Sequence, residues 1–506
     1  MKHEFDHEFF REISKYETGI FLQIYANLNA EVYKHNYSED DDLFHIKLAD
    51  YGLAPSGVLH LSHWTIRDII FQKFRRGHVD GYGLKSEILQ SEMYRLIGLY
   101  NDYENELSKK NLKGDSVFFL LYGIAEQQFR GQVNVFQVDK KRNDIIFNKL
   151  DAENFFDIDL VINEMLGITR QEFRLILIIL LSALLTQWAI NPYTLKVDSD
   201  VFDETKIPNF REKYNRVIKY YTVTKDFMIS NNLNLTRYRY LFAEYGKICV
   251  LADGYMLQEK FADAELWLAR EFYQERKDLY GKEYFPNHFG ILFERYIEYV
   301  TKQEGITNRL FNINNPENIN RFFITTIGKK VDYVLETVGY RLIIECKSGI
   351  KPAAVKDANT NIEALLNFMK KIFDEGAVQI NAAIQNSRET EKTIIGVIVH
   401  AEKSFMKSRT KHTYLTISKQ EKFRDILLFD IHDFELLIAL LKEDPTVADE
   451  ILDDYINNET GEKLDFIQVV ERKYSPSSFL DDVEPFEEDE FARFLTEEAL
   501  KGKRKR

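Results

Sequence analysis

Two short apolar runs separated by a polar turn stand out in the second half of the chain. Residues 331–335 read VDYVL, an apolar run with a single acid, and this pattern predicts a mostly buried strand. Residues 336–339, ETVG, are polar and end in glycine, which is typical of a hairpin turn. Residues 340–344, YRLII, predict a second strand, after which the chain leaves the core with the triplet ECK.

Later segments extend an α/β pattern. Residues 359–373 predict an amphipathic helix after the hairpin, and the apolar runs at 393–399 and 426–431 predict further buried strands. Strands that alternate with helices are typical of an α/β domain, in which helices cover a central sheet. The sequence therefore predicts an α/β domain in the C-terminal half.

The N-terminal half has helical spacing and aromatic anchors instead. Its clearest helix is predicted over residues 166–185, where Thr169 and Glu172 have the spacing of a capping box just before an apolar run. This helix is apolar nearly all round, so we expect it in the centre of a core or at a subunit interface. The sequence leaves those two options open.

The length of 506 residues predicts two or three domains rather than one compact core. We expect a mixed, mainly helical domain over residues 1–160 and a helical domain for sensing, recruitment or oligomerisation over 161–280. The α/β domain is predicted over 281–440, and a C-terminal extension with an acidic and then a basic tail over 441–506.

The composition and the apolar runs limit the cellular compartment in which we expect the protein. Only two cysteines occur, far apart, which argues for a reducing compartment and against a disulfide framework or a zinc finger. The first 16 residues are too charged for a signal peptide, and the longest apolar run, residues 175–185, is too short to span a bilayer. These features predict a soluble, cytoplasmic protein with no membrane partner.

Candidate chemistry lies at the open end of the predicted hairpin. An antiparallel hairpin that begins near Asp332 and ends near Glu345 brings both carboxylates to one edge of the sheet. Lys347 projects on the same side as Glu345, because alternate side chains of a strand share a face. Two carboxylates and a backbone carbonyl suit Mg²⁺, and a nearby lysine can orient water or offset charge on a phosphorus transition state.

This arrangement resembles the PD-(D/E)xK phosphodiesterase superfamily. The resemblance implies the restriction-endonuclease-like fold, a central mixed sheet flanked by helices. Asp332 matches the first motif, although Val331 replaces the usual proline, and residues 345–347 match E-x-K. Residues 289–294 are similar to the first helix of the family, in which Glu294 corresponds to a glutamate that often joins the metal site. Gln379 stands where many members carry a glutamine. The resemblance covers about residues 280–440.

The resemblance implies a nuclease that uses Mg²⁺, with Mn²⁺ as a possible substitute, and DNA as the expected substrate. Asp332, Glu345 and Lys347 would be catalytic, and Asp332, Glu345 and Glu294 would hold the metal. It further suggests antiviral defence, restriction or repair as the setting. Cutting two antiparallel strands calls for two related sites, so we expect a homodimer or a higher oligomer. No P-loop motif is present, and a partner protein would supply a trigger or an ATPase.

The chain is acidic overall but contains one basic segment. The formal net charge is −14, which gives no indication of a nucleic-acid partner. An enzyme can nevertheless have positive potential in one groove of an otherwise acidic surface. Residues 401–425 carry a formal excess of four positive charges and predict a basic loop, either holding phosphates or simply solvated. The candidate nucleic-acid contacts are Lys329, Lys330, Lys407, Arg409 and Lys411.

Three alternatives stay open. E-x-K triplets recur at residues 204–206, 275–277 and 471–473, and none of these closes an apolar strand, so the triplet alone carries little information. In the first alternative, the chain is a helical interaction or scaffold protein that retains a nuclease-like module for binding. A nuclease acting on RNA or single-stranded DNA is a further reading. Glu298 lies one turn after Glu294 and competes with it for the helix position of the site.

Overall fold

The architecture is taken from a computed structural model of the chain. It describes residues 7–38, 44–47, 58–75, 84–111, 136–186, 190–191, 196–197, 209–224, 241–245, 248–252, 254–325, 331–351, 362–404, 407–457, 464–474 and 480. Within these ranges, no helix combines the length and the apolar character needed to cross a bilayer.

The N-terminal region forms a helical core of its own. Its described elements are α1 (Glu8–Ile13), α2 (Thr18–Ser38), β1 (Phe44–Lys47), β2 (Val58–Leu61), α3 (His63–Arg75) and α4 (Gln90–Asn111). Aromatic side chains fill this core: Phe21 stacks on Tyr25, and Phe10 meets Tyr103 edge to face. The expected mainly helical character of the region is therefore present.

The middle of the chain adds helices and a small sheet. Its described elements are α5 (Phe136–Asp144, continued by the wider turn Ile145–Leu150), α6 (Ile158–Leu166), α7 (Arg170–Thr186), β3 (Ile190–Asn191), β4 (Lys196–Val197), α8 (Phe210–Tyr220), β5 (Thr222–Thr224), β6 (Phe242–Tyr245), β7 (Ile248–Leu251), α9 (Gly254–Glu275) and α10 (Lys277–Tyr280). Val223 and Val250 of the β5–β6–β7 sheet pack into the N-terminal core.

The predicted capping box is confirmed at the start of α7. The Thr169 N–H donates to Glu172 Oε2 at 3.0 Å, and the Glu172 N–H donates to Thr169 Oγ1 at 3.2 Å. The helix predicted over residues 166–185 begins at Arg170 rather than at residue 166, because Gly167 adopts φ +66° and ends the preceding helix, α6, at Leu166. Two reciprocal hydrogen bonds then satisfy backbone donors as α7 begins.

The C-terminal half is built around one mixed sheet. Its described elements are α11 (Tyr284–Gln303), β8 (Leu310–Asn312), α12 (Pro316–Phe322), β9 (Tyr333–Glu336), β10 (Tyr340–Lys347), α13 (Ile362–Met369, continued by the wider turn Lys370–Asp374), α14 (Glu375–Gln385), β11 (Thr393–His400), α15 (Lys407–Ser418), the short 3₁₀ turn Glu421–Phe423, β12 (Leu427–Asp430), α16 (Ile431–Glu443), α17 (Pro445–Ile456) and α18 (Phe466–Glu471). The strand order is β12–β11–β10–β9–β8, antiparallel from β8 to β10 and parallel from β10 to β12.

The predicted hairpin and the two later strands are present in this sheet. In the β9–β10 ladder, Leu342 pairs with Leu335 and Ile344 with Tyr333. The helix predicted at 359–373 is present from Ile362 and continues through Gly376 to the end of α14. A mixed α/β architecture preceded by a helical N-terminal region is thus confirmed.

The two faces of β10 are covered by different helices. Leu342 and Ile344 belong to the core that α11 enters, with Leu292 among its members. Ile343 lies on the other face, in the cluster that includes Ala377 of α14. By strand alternation, Glu345 and Lys347 continue the α14 face.

The larger core crosses all three predicted domain boundaries; at residue 160, for example, Ile145 and Val161 both belong to it. Leu268 of α9, Phe289 of α11, Phe434 of α16 and Phe466 of α18 all belong to one buried cluster. The boundary placed at residue 440 falls inside α16. Residues on both sides of 280 and of 440 therefore share a hydrophobic interior.

Much of the segment expected to be a basic loop is a helix, α15. Its buried positions include Lys407, Thr410, Thr413 and Tyr414, which are spaced about one helical turn apart. Lysine and threonine occupy positions that usually carry apolar residues, so hydrophobic periodicity did not reveal the helix. The loop prediction was wrong for residues 407–418.

Lys407 joins α15 to the end of the sheet through two ion pairs. Its Nζ lies 2.7 Å from Asp430 Oδ2 and 2.8 Å from Asp433 Oδ2, and all three side chains are buried. Asp430 and Asp433 also form the capping box of α16. The negative charge around it raises the pKa of Lys407 well above its usual value, despite the opposing effect of burial.

We expect Lys407→Ala to lower the free energy of unfolding by about 3–5 kcal/mol, because it leaves two buried carboxylates without their cation. Lys422→Ala is the matched control, since Lys422 is exposed and lies over the Phe423 ring. Its effect should stay within about 0.5 kcal/mol. Urea unfolding of both variants checks the prediction, and equal midpoints would contradict it.

Candidate active site

Asp332 and Glu345 meet where the hairpin opens. The Asp332 N–H donates to the Ile344 carbonyl at 3.1 Å, which extends the ladder by one residue beyond β9. The Cys346 N–H donates to Asp332 Oδ2 at 2.7 Å. This second bond ties the Asp332 carboxylate to the backbone between Glu345 and Lys347, so the hairpin brings the two predicted acids together.

Lys347 completes the cluster on the α14 face. Its Nζ lies 2.7 Å from Glu345 Oε1 and 3.4 Å from Gln379 Oε1. A side chain at Gly376 would bring a Cβ within 3.2 Å of Lys347 Cε, so the absence of a side chain leaves room for the lysine. The structure thus brings Asp332, Glu345, Lys347 and Gln379 into one site.

Glu294 and Glu298 have different surroundings. Glu298 is exposed, and its Oε1 accepts hydrogen bonds from Asn312 Nδ2 at 2.6 Å and from the Tyr333 hydroxyl at 3.3 Å. Glu294 is half-buried and lies in the electrostatic field of Asp332. Of the two acids that the sequence could not separate, Glu294 is therefore the one close to the site.

The acids of the site carry raised pKa values. Burial raises the pKa of Glu294 to about 7, with Asp332 and Glu298 adding to the effect. Burial, then the charge of Asp332, raises the pKa of Glu345 to about 7, although Lys347 opposes this. Burial also raises the pKa of Asp332, against the Cys346 hydrogen bond and Lys347. Like charges are thus held close together in a poorly solvated place.

The fit to a divalent cation rests on two carboxylates rather than three. Glu345 Oε2 is buried and has no hydrogen-bond partner, so it is an oxygen available to a hard cation. Among the described residues, however, no three His, Cys, Asp or Glu side chains form a ready-made metal cluster. If the site binds Mg²⁺ or Mn²⁺, Asp332 and Glu345 are the residues that would hold the ion, which would keep several water ligands.

The role of Glu294 as a third metal ligand stays a prediction. Glu294 lies on α11, which packs against one face of the sheet, whereas Glu345 and Lys347 lie on the face that α14 covers. Glu294 is close enough to influence the charge of the site but does not complete a three-residue cluster with Asp332 and Glu345.

The structure describes three of the five predicted nucleic-acid contacts. Lys329 and Lys330 lie outside the described residues. Lys407 is buried between carboxylates, so its assignment to a phosphate backbone is corrected. Lys411 donates to the carbonyls of Arg424 and Ile426 at 2.9 and 2.8 Å, and Arg409 is half-buried on α15.

Sequence reasoning missed the supports of the site. The Tyr333 hydroxyl donates to the Glu294 carbonyl at 3.1 Å, which fastens α11 to the start of β9. Gly290 approaches Ser348, whose Oγ would lie 3.2 Å from a Cβ at this position. The sequence signals were a tyrosine directly after the motif acid and a glycine four residues before Glu294, but neither is specific without coordinates.

Comparisons of the chain with protein-family models, with curated proteins and with solved structures found no match.

We expect Glu294→Gln to stabilise the fold at pH 8. The folded-state pKa of about 7 lies above the ordinary value of 4.5, so the folded protein binds more protons than the unfolded chain between these values. The charged glutamate therefore costs stability above pH 7, and this cost disappears as the pH falls towards 4.5. After allowance for solvent screening, the gain at pH 8 should be on the order of 1 kcal/mol.

Thermal unfolding at pH 8 and pH 5 measures this effect. Glu298→Gln is the matched control one helical turn away, because it is exposed and hydrogen-bonded. A gain for Glu294→Gln that is as large at pH 5 as at pH 8 would rule out the electrostatic explanation.

Proposed function

We propose that this protein is a metal-dependent nuclease that hydrolyses phosphodiester bonds, with DNA as the expected substrate. The observation that carries the proposal is the convergence of Asp332, Glu345 and Lys347 at one end of the sheet. Two poorly solvated carboxylates beside each other repel, and this repulsion lowers the stability of the fold. A contribution to folding therefore does not explain why they lie together. Such an arrangement is typical of functional sites.

In this proposal, Asp332 and Glu345 hold the Mg²⁺, which would supply Lewis-acid stabilisation of the phosphoryl oxygens and a more acidic water. Asp332 is kept in position by the Cys346 N–H, so its carboxylate is oriented before any ligand arrives. Lys347 keeps an ammonium group at the site, where it can donate a hydrogen bond to water or to an anionic oxygen. Gln379 restrains Lys347 from the α14 side.

The biological setting follows the resemblance rather than the geometry. Antiviral defence, restriction or repair in the cytoplasm are the settings expected for such a nuclease. The helical N-terminal half would then sense or recruit, because a hydrolytic site does not by itself select a target. A homodimer or higher oligomer would supply the second site needed for double-strand cutting.

The second candidate is a scaffold or interaction protein with a nuclease-like binding module. Two observations favour it. Lys347 already pairs with Glu345, and Glu294 does not complete a three-acid cluster among the described residues. In this second candidate, the Lys347–Glu345 ion pair stabilises the end of β10, and the protein does not hydrolyse phosphodiester bonds.

Cleavage assays distinguish the two candidates. Plasmid, linear duplex and single-stranded DNA, and RNA, are incubated with the protein in Mg²⁺, Mn²⁺ or EDTA. We expect metal-dependent cutting that falls by at least about 100-fold in Lys347→Ala, since the variant loses transition-state stabilisation. Lys277→Ala, in another E-x-K triplet, is exposed and should cut like the parent.

Two outcomes would count against the proposal. Cutting that survives in EDTA and in Lys347→Ala would remove the site assignment. Metal-dependent binding of DNA without cutting of any substrate would favour the scaffold candidate. The four substrates also separate DNA cleavage from cleavage of RNA or single-stranded DNA.

The rate should also depend on pH through Glu345. Its pKa of about 7 means that protons compete with Mg²⁺ for this carboxylate below neutrality. We expect the Mg²⁺ concentration for half-maximal rate to rise by up to about tenfold for each pH unit below 7. Magnesium titrations at pH 6, 7 and 8 test this, and a constant requirement would show that Glu345 is not a ligand.

A further inference from the structure

The end of β10 that carries Glu345 and Lys347 extends beyond its neighbour β9. Within the described residues, β9 pairs with β10 only as far as Ile344. Among the described strands, residues 345–347 pair with β11 alone. On the β9 side, this segment is held by the bond from the Cys346 N–H to the Asp332 carboxylate. The position of the two site residues therefore depends mainly on how the end of β10 is joined to β11.

His400 is the last residue of β11 and the direct neighbour of Lys347. The two residues are opposite each other in the parallel ladder, so their side chains lie on the same face of the sheet. The next backbone bond runs from the Ala401 N–H to the Lys347 carbonyl at 3.0 Å. Two residues further along the chain, the Gly349 carbonyl accepts a hydrogen bond from His400 Nε2. A side chain thus continues the connection between the two strands beyond this backbone bond.

The imidazole of His400 is itself held in place. The side chain is buried, and its ring meets the Phe368 ring edge to face with the ring centres 5.4 Å apart. His400 Nδ1 accepts the Glu402 N–H at 3.3 Å and lies 2.9 Å from the Glu402 carbonyl oxygen. Both the neutral Nε2–H tautomer and the imidazolium can donate at Nε2, so the bond to Gly349 forms in either protonation state. The Gly349 carbonyl is therefore joined to a fixed group.

The bond between His400 and Gly349 is independent of the acids of the site. It joins a side chain of β11 to a backbone carbonyl and uses no group that the proposed reaction needs. The Cys346 bond differs in this respect, because it occupies an oxygen of Asp332, which the proposed function assigns to the metal. A ligand of Asp332 competes with the Cys346 bond but not with the bond from His400.

We propose that His400 is a positioning residue of the candidate active site, which holds Gly349 and thereby fixes the end of β10 from which Glu345 and Lys347 project. The proposal rests on the proposed nuclease function. His400 neither contacts the substrate nor transfers a proton. Its contribution is geometric, because reacting groups must be held in a productive arrangement, and a displacement of about 1 Å can lower a rate about 100-fold.

Two substitutions separate the hydrogen bond of His400 from the volume of its ring. His400→Phe keeps a ring against Phe368 but removes the donor to Gly349, whereas His400→Gln keeps an N–H group near the end of the side chain. In the metal-dependent cleavage assay, we expect His400→Phe to lower kcat about 10- to 100-fold and to change KM by less than about twofold. We expect kcat of His400→Gln to stay within about threefold of the parent. His400→Leu takes the place of His400→Phe if thermal unfolding shows that the latter is not folded.

Tyr25→Phe is the control for a loss of stability alone. Tyr25 is buried in the N-terminal core, and its hydroxyl donates to the Met93 carbonyl at 3.0 Å. This variant also removes the donor from a backbone carbonyl while it keeps an aromatic ring. At temperatures where the variants are folded, we expect its kcat to equal that of the parent, because nothing at the end of β10 changes.

Amide hydrogen exchange measures the same connection without any cleavage. The Ala401 N–H donates to the Lys347 carbonyl, and its protection depends on the two strand ends staying together. We expect this amide to exchange at least about 10-fold faster in His400→Phe than in the parent. In His400→Gln and in Tyr25→Phe, it should exchange at the parental rate.

Three results would overturn the proposal. The first is a folded His400→Phe variant with the kcat of the parent while cutting still requires Lys347. The second is an equal loss of kcat in Tyr25→Phe, and the third is a folded His400→Gln variant as slow as His400→Phe. Failure of the nuclease function has a different signature, because cutting would then be absent in the parent or would survive in Lys347→Ala. The positioning role would fail with it, and hydrogen exchange would still show whether His400 joins the strand ends.

Discussion

The hydrogen bond from the Cys346 N–H to Asp332 Oδ2 is the contact on which the candidate site depends. It joins the residue before β9 to the strand that carries Glu345 and Lys347. Without this bond, the repulsion between two poorly solvated carboxylates would favour their separation. The β9–β10 turn sets the register of the hairpin, and this register decides which backbone N–H faces Asp332. The turn therefore affects the site although it lies at the opposite end of the two strands.

The electrostatics of the site follow from that geometry. Asp332 and Glu345 are close together in a poorly solvated place, and Glu294 adds a third negative charge from α11. Lys347 offsets only part of this charge, so the pKa values of the acids stay raised. A divalent cation would satisfy the same imbalance, and this is the physical basis for proposing a metal-dependent reaction.

Elsewhere, buried ion pairs connect elements that are distant in sequence. Arg142 of α5 forms two hydrogen bonds with Glu435 of α16, at 2.7 and 2.8 Å, and the Tyr296 hydroxyl of α11 donates to Glu435 Oε1 at 2.7 Å. Breaking such a network exposes an uncompensated charge to a low-dielectric interior. Helix α5 of the middle region is thereby joined to α16 and α11 of the C-terminal half.

The sequence by itself determined the hairpin, the later strands, the capping box of α7 and the group Asp332, Glu345 and Lys347, because these follow from local periodicity and the alternation of side chains along a strand. Only the tertiary structure placed Glu294 rather than Glu298 close to the acids of the site and buried Lys407. These outcomes depend on which face of the sheet each helix covers, and on contacts between residues far apart in the chain.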